Sequence, residues 1–141
     1  MNKALVLNPD KAHFSNLSRV LFESSVVFSQ NYLSFLHNLE GGVWDSVYVT
    51  YDLTRYAEHD SWLDGAGYRK AYNGLHAARA IASMSELGLC KVGKVFLDSS
   101  SAFLQEMSNV LMASNVNVVK YSVKDEGDVL LLHDLDGSSV T

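Results

Sequence analysis

The stretch from Lys91 to Val123 decides the fold: Lys94-Val-Phe-Leu-Asp98, then Ser99 to Asn115, then Asn117-Val-Val-Lys-Tyr-Ser-Val123. The outer two runs are rich in β-branched and apolar residues, which is typical of buried strands. Between them, the apolar residues recur at steps of one, three and four and therefore share one face of a helix; they are Phe103, Leu104, Met107, Val110 and Leu111. The stretch predicts a βαβ unit with a right-handed crossover, its helix capped by Asp98 or a following serine.

Three further runs outside this unit predict strands. Lys3–Leu7 is a short apolar run that Pro9 closes, and 43–52 is rich in β-branched and aromatic residues. The run 129–133 follows a reversal at Gly127, which predicts a strand antiparallel to the one before it. Because this last run is apolar throughout, we expect it to lie in the middle of the sheet, covered on both faces.

Two helical patterns precede the βαβ unit. The first runs from Ser15 or Ser18 to Leu39 and ends at the Gly41-Gly42 pair. Its middle, 24–27, is poor helix material, so a kink or two consecutive helices are possible, and its many large apolar residues suggest a face for self-association. The second pattern runs from Leu75 to Leu87, with Leu87 on its buried stripe.

Together these elements predict an α/β protein. We expect a three-layer, Rossmann-like open sheet of about five strands, mostly parallel with a C-terminal antiparallel strand, and helices on both faces. The length of 141 residues suits one domain, so residues 1–141 are expected to form a single α/β domain.

Composition narrows the range of partners and compartments. A net charge of −5 with scattered basic residues argues against duplex nucleic acid as a partner, because phosphate backbones require clustered Lys and Arg. The lone Cys90 cannot form an intramolecular disulfide and is expected to be a buried structural residue, which fits a cytoplasmic protein. No apolar run approaches the roughly twenty residues of a membrane span, so no membrane partner is expected.

The segment 53–72 is the most distinctive part of the chain. It lacks a clear period, and connections of about twenty residues inside a compact domain are usually functional or disordered. Seven aromatic residues lie between Trp44 and Tyr72, and residues of this kind anchor protein interfaces. The segment predicts a partner-binding surface formed by Arg55, Tyr56, His59, Trp62, Tyr68 and Arg69. Equally, the rings could simply close the core beneath a long connection.

Acidic residues follow three predicted parallel strands: Asp10, Asp52 and Asp98. In open α/β sheets the crevice beyond the carboxyl ends of the strands binds ligands, so these carboxylates could share one catalytic or metal site. Three carboxylates suit Mg²⁺ or Mn²⁺ and phosphoryl chemistry. The other interpretation is that each Asp is an N-cap or turn residue. The run 95–103 resembles metal-dependent nucleases of the PIN and NYN type, but serines stand where those proteins carry a second acid.

The sequence therefore favours a non-catalytic protein-binding or assembly module without a cofactor, whose partner is another protein or a second copy of the chain. The alternative is a small phosphotransferase or nuclease that depends on Mg²⁺ or Mn²⁺. The enzyme requires three carboxylates around a shared point, whereas the binding module requires an exposed patch on the aromatic segment.

Overall fold

The computed structural model describes residues 3–7, 25–51, 53, 61–63, 65–99, 101–124 and 129–134. The strands are β1 (Lys3–Leu7), β2 (Ser25–Ser29), β3 (Val43–Val49), β4 (Ser61–Leu63), β5 (Arg69–Ala71), β6 (Lys91–Asp98), β7 (Val118–Lys124) and β8 (Val129–Asp134). The helices are α1 (Tyr32–Leu39), α2 (Gly74–Glu86) and α3 (Leu104–Ala113).

Six of the strands form one sheet in the order β2-β1-β3-β6-β7-β8. The first five in this order are parallel, and their register aligns Leu7 with Val49 and Val49 with Leu97. β8 pairs with β7 in the antiparallel direction, and β4 and β5 form a separate two-stranded sheet. The carboxyl ends of β1, β3 and β6 therefore lie side by side at one edge, which we call the carboxyl edge.

Both faces of the sheet are buried, as a layered α/β arrangement requires. The three helices within the described residues pack on the face that carries Leu5, Val47 and Leu97. On the opposite face, Tyr48 is buried and stacks on Phe96, with 4.6 Å between ring centroids. The ring of Tyr121 meets Tyr48 edge-on at 5.4 Å. The predicted α/β class with a largely parallel sheet is confirmed.

The prediction of a helical pattern as far as Leu39 is wrong at residues 25–29, which form strand β2. The Ser25-Val-Val-Phe-Ser29 run has two adjacent β-branched residues, and it pairs in parallel with β1 along its whole length. The helix α1 starts only at Tyr32, after Asn31 caps it by accepting a hydrogen bond from the Ser34 N–H at 2.8 Å. It ends before the glycine pair, as predicted. Residues 15–24 lie outside the described residues.

The prediction that the last strand is central is also wrong, because β8 lies at the edge of the sheet. A short reversal after β7 can place β8 only beside β7, and the other side of β7 is already occupied by β6. An apolar run therefore did not indicate a central position here.

The βαβ unit is confirmed as β6, α3 and β7. Neither Asp98 nor a serine caps α3, because the chain makes a further turn in which the Ser101 N–H donates to the Asp98 carbonyl at 3.0 Å. The N-cap is Phe103, in the left-handed region at φ 56° and without a side-chain cap. Phe103 is 54% exposed, so the prediction that its side chain lies in the core is wrong.

Helix α2 is confirmed with slightly different bounds, and Gly88 follows it in the left-handed conformation (φ 73°) that suits a helix end. Leu87 is not on the buried stripe as predicted. It is 73% exposed, because it is the C-cap residue and lies beyond the last turn that packs on the sheet. No helix within the described ranges is long and apolar enough to span a membrane.

Candidate binding surface and the carboxyl edge

The aromatic segment contains a β-hairpin where the sequence predicted a connection without a period. Strands β4 and β5 pair antiparallel, with Trp62 opposite Lys70 and Leu63 opposite Arg69. The chain turns at 65–67, where Gly67 has φ 85°. The sequence signal for this hairpin is the pair of glycines between two short runs, which is a common pattern at a hairpin turn.

The hairpin carries exposed apolar and basic side chains. Leu63 is 63% exposed, Tyr68 is 71% exposed, and Lys70 is also exposed. We call these three residues the hairpin surface. Of the other predicted partner-binding residues, the backbones of Trp62 and Arg69 lie in β4 and β5, next to these residues. Arg55, Tyr56 and His59 lie outside the described residues, so their place in the surface stays a prediction.

Aromatic packing fixes the base of the hairpin. The ring of Tyr72 lies 4.4 Å from that of Tyr32, the first residue of α1, and meets the His76 ring edge-on at 5.2 Å. Asn73 caps α2 by accepting hydrogen bonds from the N–H groups of Leu75 (2.9 Å) and His76 (3.3 Å). The His76 Nδ1 accepts in return from the Asn73 N–H at 3.1 Å. The hairpin therefore extends from residues that ring contacts and hydrogen bonds hold in place.

Three other aromatic residues of this region that the structure describes, Trp44, Tyr48 and Tyr51, pack within the fold. Trp44 and Tyr48 are buried in the two halves of the core, and the Trp44 indole N–H donates to the Asn38 carbonyl at 3.2 Å. The Tyr51 ring lies 5.0 Å from that of Phe103. The alternative that the rings close the core thus holds for Trp44 and Tyr48, while Tyr68 lies on the surface.

At the carboxyl edge, the structure describes one of the three predicted acids. Asp98 ends β6 partly buried, beside Tyr121 in the register of β7. Burial raises the pKa of Tyr121 well above its usual value, and the charge of Asp98 raises it further. Burial also raises the pKa of Tyr48 to about 12. Both phenols are therefore neutral at physiological pH.

The convergence of the three acids stays a prediction, since Asp10 and Asp52 lie outside the described residues. Within the part of the chain that the structure describes, no group of three or more His, Cys, Asp or Glu side chains could hold a metal ion. Thr50 lies next to Asp98 at this edge, where its N–H donates a hydrogen bond to the Leu7 carbonyl at 3.3 Å. Both residues carry oxygen atoms of the kind that bind Mg²⁺ or Mn²⁺.

Cys90 is buried. Burial raises the pKa of its thiol, and a hydrogen bond with the Ser85 hydroxyl, 3.7 Å away, opposes this shift in part. A protonated, buried thiol is a poor nucleophile, which agrees with the structural role predicted for this residue.

The structure also shows three exposed apolar residues that the sequence analysis did not place on the surface. Val43, Leu87 and Leu89 lie at the amino end of the parallel sheet and are exposed. The signal in the sequence is Leu87-Gly88-Leu89, where two leucines flank the glycine that ends a helix.

Five of the six strands of the main sheet are parallel, and two solved structures with a similar fold are response regulators. One is the crystal structure of a response regulator protein from Burkholderia pseudomallei with a phosphorylated aspartic acid, calcium ion and citrate; the TM-score is 0.58 and the identity 12%. The match covers 86% of this chain and 59% of that one, less than two-thirds of its length.

A second solved structure is the response regulator receiver domain protein (CheY-like) from Methanospirillum hungatei JF-1. Its TM-score is 0.57 at 14% identity, and the match covers 86% of this chain and 81% of that chain. At these identities the likeness shows the fold alone. The likeness supports the parallel sheet with helices, but it does not bear out the predicted C-terminal antiparallel strand. That strand is supported only by the pairing of β8 with β7 among the described residues. No family model and no curated protein matches the sequence.

Proposed function

We propose that this chain is a non-catalytic protein-binding module that uses the hairpin surface as its contact. The observation that carries the proposal is the exposure of Leu63 and Tyr68 on a short hairpin whose base is fixed by aromatic packing. Tyrosine is enriched at protein interfaces, and burying most of one large apolar side chain contributes roughly 1–2 kcal/mol.

The anchored base favours binding for a second reason. A segment that is already ordered loses less conformational entropy when a partner immobilises it. The Tyr72 ring on Tyr32 and the reciprocal hydrogen bonds between Asn73 and His76 supply this order. Arg55, Tyr56, His59, Trp62 and Arg69 would extend the contact, as their residue types suit an interface.

The fold agrees with such a role. The structural neighbours are named as response regulators, one of them as a receiver domain protein, and we infer by analogy that this chain also acts through protein partners. We expect it to work in the cytoplasm, as the lone, buried Cys90 suggested.

Photo-crosslinking tests the contact surface. Benzoylphenylalanine placed at Tyr68 should give cross-linked adducts in the native host, whereas the same group at Asn109, an exposed position on α3, should not. Matching melting temperatures for the two variants would exclude misfolding as the cause. Equal adduct yields from both positions, or none from position 68, would refute the hairpin as the contact.

A second candidate function rests on Asp98 at the carboxyl edge. The Burkholderia structure contains a phosphorylated aspartic acid and a calcium ion, which fits an alternative in which Asp10, Asp52 and Asp98 of this chain hold Mg²⁺ or Mn²⁺ for phosphoryl chemistry. Because the described residues bring one carboxylate to this edge, the alternative depends on Asp10 and Asp52.

A thermal-shift titration with Mn²⁺ tests this candidate. Stabilisation that disappears in Asp98→Asn and persists in Glu106→Gln, an exposed acid on α3, would support the metal site. The same stabilisation in all three proteins, or none in the wild type, would exclude it.

A further inference from the structure

A cavity of about 560 Å³ opens at the amino end of β7. Its walls are Met112 from the last turn of α3, Asn115, the run 116–119 and Lys94 from β6. We call it the β7 cavity. Strand β8 leaves this end of β7 unpaired, because its last pair within the described residues joins Asp134 to Val119. Cavities of roughly 300–1,000 Å³ have the size that small organic ligands occupy.

Hydrogen bonds fix the wall that follows α3. The Asn115 N–H donates to the Met112 carbonyl at 3.0 Å, and the Val116 N–H donates to the Leu111 carbonyl at 3.1 Å. Asn115 is in the left-handed region at φ 61°, which asparagine adopts more readily than most residues. The turn from α3 into β7 is therefore held in one conformation.

The strand wall of the cavity is held by β6. The Val95 N–H donates to the Asn117 carbonyl at 2.8 Å, and the Asn117 side-chain amide donates to the Gly93 carbonyl at 3.5 Å. Val118 lies in register with Val95. A ligand thus meets walls that are already ordered, which lowers the entropic cost of binding it.

The lining combines apolar side chains with one cation. Val116 and Val118 are buried at the inner wall, and Met112 is half-exposed at the opening. Lys94 is exposed and is the one charged residue of the described lining. Its ammonium group has no ion-pair partner among the described residues. The side chains of Asn115 and Asn117 are also exposed and add amide groups.

These groups favour an organic anion. A lysine ammonium donates hydrogen bonds and accepts none, so a carboxylate, sulfonate or phosphate oxygen is its strongest partner. The Glu86 carboxylate accepts a hydrogen bond from the Ser114 hydroxyl at 2.7 Å and is not part of the lining. Because the chain has a net charge of −5, its overall field does not attract anions, and binding must depend on Lys94 itself.

We propose that the β7 cavity binds a small organic monoanion, with its charged group at Lys94 and its apolar body against Met112 and Val118. The site shares no residue with the hairpin surface and goes beyond the proposed function. One exposed ion pair and a small apolar contact correspond to a dissociation constant of about 0.3–3 mM for a ligand of roughly twelve heavy atoms.

Three ligands that differ in the head group alone test the proposal: phenylbutyrate, phenylbutanamide and phenylbutylamine. Their phenyl ring should shift the methyl NMR signals of Met112, Val116 and Val118, which line the cavity. Phenylbutyrate should bind the wild type about three- to fivefold more tightly than the neutral amide, and the amine should bind most weakly.

Variants of Lys94 separate the effect of charge from that of shape. Lys94→Gln should bind the acid and the amide equally, and Lys94→Glu should reverse the order so that the amine binds best. Lys91→Gln removes an exposed lysine at the start of the same strand, outside the lining, and should bind like the wild type. Matching melting temperatures would show that all three variants are folded.

Four results would overturn the site. They are equal affinity of the wild type for acid and amide, an equal loss in Lys91→Gln and Lys94→Gln, methyl shifts confined to residues outside the cavity, and no saturation by phenylbutyrate up to about 20 mM. None of them bears on the hairpin surface, which cross-linking at position 68 tests separately.

Discussion

Replacing Gly74 with alanine should destabilise the fold, because the first residue of α2 lies against the end of β3. The Gly74 N–H donates to the Tyr51 carbonyl at 2.8 Å. A Cβ at position 74 would lie 2.5 Å from the Thr50 carbonyl oxygen and 2.6 Å from the Tyr51 Cα. Both are backbone atoms of the carboxyl edge, so neither can rotate away, and the helix or the strand end must move.

The expected change in the free energy of unfolding of Gly74→Ala follows from two opposing effects. Overpacking of this kind costs about 1–3 kcal/mol, and Gly→Ala returns roughly 0.4–1 kcal/mol by restricting the unfolded chain. The net loss should be at most about 2.6 kcal/mol and centred near 1.3 kcal/mol, which for a chain of this size lowers the melting temperature by roughly 4–5 °C at the centre of the range. Urea unfolding followed by tryptophan fluorescence measures it, since Trp44 is buried in the core.

Gly65→Ala is the matched control. Gly65 lies in the exposed turn of the hairpin with no atom within 4 Å of an added Cβ. This variant should be as stable as the wild type or gain a few tenths of a kcal/mol, on the order of the restriction of the unfolded chain alone. If Gly74→Ala proves as stable as Gly65→Ala, the close approach of α2 to the end of β3 is not the constraint described here.

Two further predictions concern buried titratable groups. The pKa of Tyr48 is raised to about 12 in the folded chain from 10.0, so its contribution to stability is complete below pH 10 and lost between pH 10 and 12. Tyr48→Phe should remove this loss, worth roughly 2–3 kcal/mol, and make the alkaline limb of a urea-unfolding series less steep, while the loss that comes from Tyr121 remains. An unchanged limb would contradict the burial of the Tyr48 phenol. The pKa of Cys90 is also raised by burial, so iodoacetamide at pH 8 should label the folded chain at least about tenfold more slowly than the urea-unfolded chain; equal rates would show that the thiol is accessible.

Much of the sheet could be predicted from periodicity. The βαβ unit, β1, β3 and α2 all carry apolar patterns whose period matches their structure, because each has one consistent set of buried positions. Periodicity alone does not distinguish strand β2 from a helix. Its Val-Val-Phe core is compatible with either state, and pairing with β1, which is distant in sequence, decides the outcome.

The candidate surfaces were harder to predict than the fold. The aromatic segment signalled a contact, yet Trp44 and Tyr48 of the same region belong to the core, because aromatic side chains serve both purposes. Leu87 was expected to be buried, and its exposure depends on where α2 leaves the sheet. The exposure of a side chain is a property of the packed molecule, which the local pattern specifies only in part.

The position of β1 between β2 and β3 has a consequence for synthesis on the ribosome. After β3 has paired with β1, each later strand of the main sheet adds to the side left open by the strand before it: β6 to β3, β7 to β6 and β8 to β7. The open edge of the partly formed sheet is therefore always the strand that was added last. A nascent chain released after Asp98 would leave Val95, Phe96 and Leu97 on a strongly apolar edge strand, paired with β3 on one side and open on the other. Such truncated products should aggregate or be degraded rather than accumulate.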